Sequence, residues 1–266
     1  MYELGLVAIF KNESVILKEW LDHYINEGVQ QFYLINNGST DNFFEIIKNY
    51  NNILLINDSK KHSQTELYNK HFYNICKSEC KWVLICDLDE FIYSRKQYNK
   101  ISEYLNSLNE SVGQVKIPWK IFGSNKIIKQ PISVIDGFNK RELYKKNKQI
   151  NCKCIIKMDN CIKFNIHEHD TIINNTISSD YDRYNNLKNF CNISEDLLKN
   201  CYLHCNHYQL QSKEWFLNVK CSRGAADQEV NVRNLDYFNS VNKNTNKIKD
   251  KELKRKVYSL NASELK

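Results

Sequence analysis

The run Trp82-Val83-Leu84-Ile85-Cys86-Asp87-Leu88-Asp89-Glu90-Phe91 carries the strongest chemical signal in the sequence. An apolar stretch of this kind reads as a buried strand of a parallel sheet, and α/β proteins place ligands where such strands emerge at their carboxyl ends. Asp87 and Asp89, one residue apart just past that end, can both reach a common cation. Hard oxygen donors suit Mg²⁺ or Mn²⁺, with a substrate phosphate completing the shell. The ion would neutralise charge that grows on a leaving diphosphate. An acidic turn after a strand would carry the same residues, so the placement of the motif among its neighbours decides its weight.

Two further polar segments follow apolar runs. Asn36-Asn37-Gly38-Ser39-Thr40-Asp41 comes after Ile35 and offers free amides and hydroxyls at the sheet's carboxyl edge, suited to a base or ribose. Lys11-Asn12-Glu13 comes directly after Phe10, and reads either as a nucleotide contact or as a capping segment for the next helix. Later, His167-Glu168-His169-Asp170 has the residue types for a metal ligand, a general base, or both. Two histidines one residue apart on a strand would point to opposite faces, so only one of them would meet a given ion. His207, in Asn206-His207-Tyr208, competes with His167 for that role.

These segments need elements to position them. Residues 4–10 read as a strand. Residues 14–27 read as an amphipathic helix, with Ser14 as its N-cap and Gly28 as its stop. A strand at 31–35 leads to a helix reaching Tyr50 and capped by Thr40 or Asp41. A strand at 53–57, a helix at 65–78 and a strand at 82–86 complete the first part. Strands alternating with helices at this pace imply a parallel sheet with crossover helices. Beyond Val112 the pattern loosens: strands are expected at 115–119 and 155–158, helices at 194–200 and 213–223, and a basic amphipathic helix at 247–260.

Composition excludes several classes. The 266 residues are 42 % hydrophobic and 26 % charged, with only 7 Gly and 2 Pro, as in an ordinary globular chain. The net charge of +7 and the basic run at 243–256 read as a solvated face, and no aromatic and Arg pattern marks a nucleic-acid binder. The 10 cysteines lack zinc-ribbon spacing and read as free thiols in a reducing compartment. Residues 4–10 resemble a strand rather than a secretory signal, and no apolar run approaches the ~20 residues of a membrane span. A cytoplasmic location is expected.

In order, Lys11-Asn12-Glu13, Asn37-Gly38-Ser39-Thr40-Asp41 and Asp87-Leu88-Asp89-Glu90-Phe91 resemble the nucleotide-sugar half of GT-A glycosyltransferases. The chain looks most like glycosyltransferase family 92 and its family 2 relatives. Glu19-Trp20, His23-Tyr24, Trp119-Lys120-Ile121-Phe122-Gly123-Ser124, and His207-Tyr208 followed by Lys213, Phe216, Lys220 and Arg223-Gly224 extend the resemblance. It implies an α/β, GT-A-like fold with a mixed, mostly parallel central sheet flanked by helices and an irregular C-terminal acceptor half. One domain spanning 1–266 is implied: a nucleotide-sugar half at about 1–110, an acceptor half at about 111–230 and a basic helical tail at about 231–266.

The resemblance also implies site roles. Asp89 is the direct metal ligand, and Asp87 faces metal or ribose. Asn12, Glu13, Asn37 and Asp41 line the nucleotide pocket, and Lys213, Lys220 and Arg223 stabilise the diphosphate. His167 completes the metal shell in the place where such enzymes carry a late histidine. Trp119 and Phe122 lie on the acceptor side, where an aromatic face suits a sugar ring. The implied chemistry is inverting and needs a general base, sought among Glu168, His169 and Asp170. Mn²⁺ or Mg²⁺, a UDP-sugar (UDP-galactose first, UDP-glucose or UDP-N-acetylglucosamine after it) and a glycan, lipid-linked or protein acceptor follow. The basic tail suggests peripheral membrane contact. The rival readings are a sugar-phosphate nucleotidyltransferase, disfavoured because residues 10–14 contain no glycine, and a non-catalytic zinc-binding interaction module.

Overall fold

β1 (Tyr2–Phe10) is apolar on both faces because both faces are covered. Leu4, Leu6, Ala8 and Phe10 point into one core cluster and Val7 into another. The computed structural model describes residues 1–145, 148–179, 188–223, 227 and 232–264. After β1 the chain runs through α1 (Ser14–Asn26), β2 (Gln31–Asn36), α2 (Phe43–Ile47), β3 (Ile53–Asn57), α3 (Gln64–His71), α4 (Tyr73–Glu79) and β4 (Cys80–Ile85). α1 covers the first cluster with Ile16, Leu17, Trp20, Leu21 and Tyr24. α3 and α4 cover the second with Leu67, Tyr68, Phe72 and Cys76. Burial on both faces is what makes these strands read as apolar runs rather than alternations.

The expected order of elements stands, with local corrections. The helix expected over 65–78 is two helices, parted at Phe72, whose φ of −122° leaves the helical region while its ring packs into the core. Ser14 is not an N-cap but the first helical residue, and its backbone N–H donates to Asp41 Oδ2 at 2.8 Å. Asp41 therefore caps α1 across the loop instead of its own helix, which starts at Phe43 and ends at Ile47. Gly28 does stop α1: its φ is +95°, and a Cβ there would run into the Ser102 side chain.

The second half adds β5 (Glu90–Ser94), α5 (Ile101–Asn106), β6 (Gln114–Ile121), β7 (Lys140–Arg141), β8 (Lys148–Lys157), β9 (Cys161–Lys163), β10 (Asp170–Thr171), β11 (Thr176–Ser178), β12 (Phe190–Ile193), β13 (Leu203–His207) and β14 (Ile248–Lys249). Among the described residues one large sheet runs in the order β3-β2-β1-β4-β8-β6-β13-β5, with β11 beside β6 and β12 beside β8. β1 to β4 are mutually parallel, β8 is antiparallel to β4 and β6, β13 is parallel to β6, and β5 turns back along β13. This is the GT-A-like, mixed and mostly parallel α/β arrangement, with an irregular C-terminal half. Its consequence is positional. β1, β4, β6 and β13 all end at one edge, and β5 starts there, so that Glu90 pairs with His207, which pairs in turn with Ile121.

The helix expected over 247–260 starts later, and the tail is tied to β7. Ile248 and Lys249 pair as β14 with β7, and the helix Glu252–Glu264 begins only after them. Its charges are used internally. Asp250 Oδ2 accepts from Lys120 Nζ at 2.9 Å and from Arg141 Nε at 2.7 Å. Arg141 also forks onto Glu195 at 2.8 Å through both terminal nitrogens. Glu252 meets Arg95 Nε at 2.6 Å and His204 Nδ1 at 3.1 Å, and Lys256 pairs with buried Glu27. All ten cysteines are free thiols, and nine are buried. Among the described residues no helix is long and apolar enough to cross a membrane.

Candidate active site at the carboxyl edge of the sheet

The loops after β1 and β2 are laced to each other. Asn12, with φ +54°, accepts on Oδ1 from Thr40 N at 2.7 Å, while its own N–H donates to Ser39 Oγ at 3.0 Å. Asn37 Nδ2 donates to Asp58 O at 2.8 Å and Lys60 O at 2.9 Å, and Asp41 caps α1. Asn12, Asn37 and Asp41 thus shape the rim of the site by bonds between loops. Glu13 differs: it is buried, and its Oε2 meets the Arg223 guanidinium.

The acidic loop after β4 is equally constrained. Gln64 Nε2 donates to Asp87 Oδ1 at 3.0 Å, and Trp20 Nε1 donates to Asp87 O at 3.2 Å. Lys153 Nζ stands 3.2 Å from both Asp87 Oδ2 and Glu90 Oε2, and donates to Ile166 O at 3.2 Å. Lys220 Nζ donates to Asp89 Oδ2. The three carboxylates Glu13, Asp87 and Asp89 therefore each have a cation from elsewhere in the chain.

Burial pushes both aspartates up, but the cations outweigh it. Lys153 leads in drawing Asp87 down to about 2, and Lys220 and His207 hold Asp89 well below the usual carboxylate range. Burial raises Glu90 to about 8 against the pull of Lys153. Burial likewise lowers Lys220 to about 8 despite Asp89.

The histidines divide. His207 Nε2 lies 3.6 Å from Asp89 Oδ1, and its ring sits 4.2 Å from the Trp119 indole. His167 lies on the same indole at 5.3 Å and bonds through Nδ1 to Cys152 O at 2.9 Å. Trp119 therefore joins the two competing imidazoles, and His207 is the one in contact with Asp89. His167 and His169 lie in the loop between β9 and β10, so the opposite-face rule for strand neighbours does not govern them.

Other expected site residues go elsewhere. Glu168 pairs with Lys116 at 2.7 Å and accepts from Asn189 N at 2.9 Å. His169 is buried, with Nδ1 accepting from Asn165 N at 3.1 Å, and Asp170 accepts from Asn165 Nδ2 at 3.1 Å. Phe122 is a core residue 4.7 Å from the Tyr208 ring, and Lys213 is exposed. Gly224 lies outside the described residues. Lys153 and Gln64 were not anticipated. A lysine within Cys152-Lys153-Cys154, amid a strand otherwise buried, was the signal that could have found the first.

These residues suit a small divalent ion anchored by few protein ligands. Among the described residues no group of three or more His, Cys, Asp or Glu side chains is arranged to hold a metal. Asp89 Oδ1 and His207 Nδ1 are buried without hydrogen-bond partners, and Asp89 Oδ1 faces His207 Nε2 beyond hydrogen-bond reach. One or two side chains with phosphate and water completing the shell is the usual arrangement for Mg²⁺ at a phosphate site.

The sheet edge and its acid–cation pairs belong to an α/β protein of GT-A-like arrangement. The glycosyltransferase family 92 model matches residues 7–257, and the chain belongs to that family. A curated family 92 protein from Ricinus communis is 31 % identical over 97 residues, covering 35 % of this chain and 16 % of the relative. The match thus spans about a sixth of that relative's length. Among solved structures, HddC from Yersinia pseudotuberculosis aligns at TM-score 0.38 and 13 % identity, covering 76 % of this chain and 98 % of its own. Glucosyl-3-phosphoglycerate synthase from Mycobacterium tuberculosis, with Mn²⁺, UDP and glucosyl-3-phosphoglycerate, aligns at 0.31 and 10 %, covering 59 % and 57 %.

Proposed function

We propose that the chain is a metal-assisted, inverting glycosyltransferase that moves a sugar from a UDP-sugar to an acceptor hydroxyl. One observation carries the reading: Asp89, faced by His207 and held by Lys220, meets Glu13–Arg223 and Asp87–Lys153 at the carboxyl edge of a family 92 sheet. Held between Asp89 and His207, Mn²⁺ or Mg²⁺ would supply charge neutralisation to a departing diphosphate. Lys220 and Arg223 are the chain's own cations for that diphosphate. Asp87, fixed by Gln64 and Lys153, faces ribose or metal. Trp119 offers a flat face to a sugar acceptor, and its buried Nε1 has no hydrogen-bond partner.

Galactose is the first sugar to test, then glucose and N-acetylglucosamine. Lys254 and Lys256 of the tail pair with Asp136 and Glu27, which supports testing glycan and protein acceptors before a lipid-linked one. The decisive assay follows UDP and pyrophosphate release from each UDP-sugar, with Mn²⁺ present and then chelated. UDP release that needs the cation and is lost in Asp89→Ala supports the reading. Pyrophosphate release would indicate nucleotidyl transfer, and full activity in Asp89→Ala would sink the proposal. Glu168→Gln, His169→Asn and Asp170→Asn in the same assay identify the base.

A further inference from the structure

Lys220 and Arg223 project from one helical stretch and reach acids on two different loops. Residues Phe216–Lys220 are wound as a π-helical turn, the kind of local widening that recurs at functional sites. Lys220 Nζ and Arg223 Cζ both lie 5.7 Å from the Trp215 ring, so the two cations are neighbours over one indole. Like charges this close repel, and what balances them is Asp89 for Lys220 and Glu13 for Arg223. The Asp89 side chain is fully buried and that of Lys220 is 6 % exposed, so this ammonium neutralises a carboxylate that water cannot reach.

We propose that Lys220 is a stand-in cation: it holds Asp89 until the donor arrives, then transfers to the diphosphate, freeing Asp89 for the divalent ion. This rests on the donor-binding reading above and adds a coupling between the two ligands. A divalent ion arriving alone competes with an ammonium already on Asp89 Oδ2. A nucleoside diphosphate gives that ammonium another anion to bind. Nucleotide and ion therefore bind with positive coupling, each raising the other's affinity by the same factor. Arg223 and Glu13 repeat the arrangement one turn away.

The test measures Mn²⁺ binding directly, by the free-ion electron paramagnetic resonance signal, with and without UDP. In the native chain UDP tightens Mn²⁺ by about tenfold or more. In Lys220→Met, Mn²⁺ alone binds about tenfold tighter, UDP binds about tenfold more weakly, and the coupling falls by about tenfold to the part that phosphate oxygens on the ion supply. Lys220→Gln, which keeps a donor for Asp89 without the charge, gives the same pattern if the methionine variant does not fold. Lys220→Arg keeps the coupling. Mn²⁺ affinity unchanged or weakened in the uncharged variants, with native UDP-dependent binding intact, overturns this inference alone. No Mn²⁺ binding by the native chain even with UDP overturns it together with the proposed function.

Discussion

Lys153 Nζ bridges Asp87 Oδ2 and Glu90 Oε2, 3.2 Å from each, from a strand that runs antiparallel to the one the acids follow. Its side chain and that of Glu90 have no exposure to solvent. Removing Lys153 leaves Asp87, whose side chain is 32 % exposed, without its cation, a smaller penalty than stranding a fully buried charge. Lys153→Met should therefore lower stability by about 2 kcal/mol in urea unfolding. Adding Glu90→Gln should recover little, because burial already favours the neutral form of Glu90 and Asp87 is the charge left behind. Full recovery in the double variant would show that Glu90, not Asp87, is the charge Lys153 serves.

Trp119 is in ring contact with both His167 and His207. If its face receives the acceptor, Trp119→Ala should raise the acceptor KM by about tenfold while the donor KM changes little, a loss of about 1.4 kcal/mol. Steady-state kinetics with both substrates varied separates the two. An unchanged acceptor KM would remove Trp119 from the acceptor site.

Asp250 serves two buried cations at once, Lys120 and Arg141. Asp250→Asn leaves the hydrogen bonds in outline but not the charge, and should cost about 3 kcal/mol. The urea midpoint reads this directly. Donor binding should be preserved in the folded fraction, because this network is separate from the Asp89 contacts.

Three buried histidines set the acid limb of stability. Burial lowers His23 and His169 to about 3 and His204 to about 4, from an ordinary 6.5. The folded chain keeps these rings neutral where the unfolded chain takes up protons. Their contribution is thus complete above pH 6.5 and is lost as pH falls from 6.5 toward 4, by roughly 1.4 kcal/mol per unit for each ring. Urea midpoints measured across that window should drop steeply. His23→Gln should flatten the slope, and an unaltered slope would mean that His23 is protonated in the folded state.

Much of the frame was legible in the sequence because it rests on periodicity. β1, β2, β3 and β4 are apolar runs since helices cover both faces, and the acids at 87 and 89 fall where such a strand must end. What escaped depends on contacts distant in sequence. Asp41 looks like a cap for the helix beside it, yet it caps α1, 27 residues back, because the loop folds across. Lys153 reaches Asp87 only through the β4–β8 register, 66 residues apart. Glu168 has the right chemistry for a base, but its partners, Lys116 and Asn189, come from distant segments that local pattern does not reveal.

The tail's pairing with the sheet also orders events during synthesis. Lys120 and Arg141 are made long before Asp250 and Glu252, the acids that neutralise them. A chain emerging from the ribosome can complete β1 to β4 early, but the half carrying β6 and β13 holds uncompensated buried charge until residue 252 is clear. Nascent chains halted before that point should stay protease-sensitive in their second half and become resistant once it has passed.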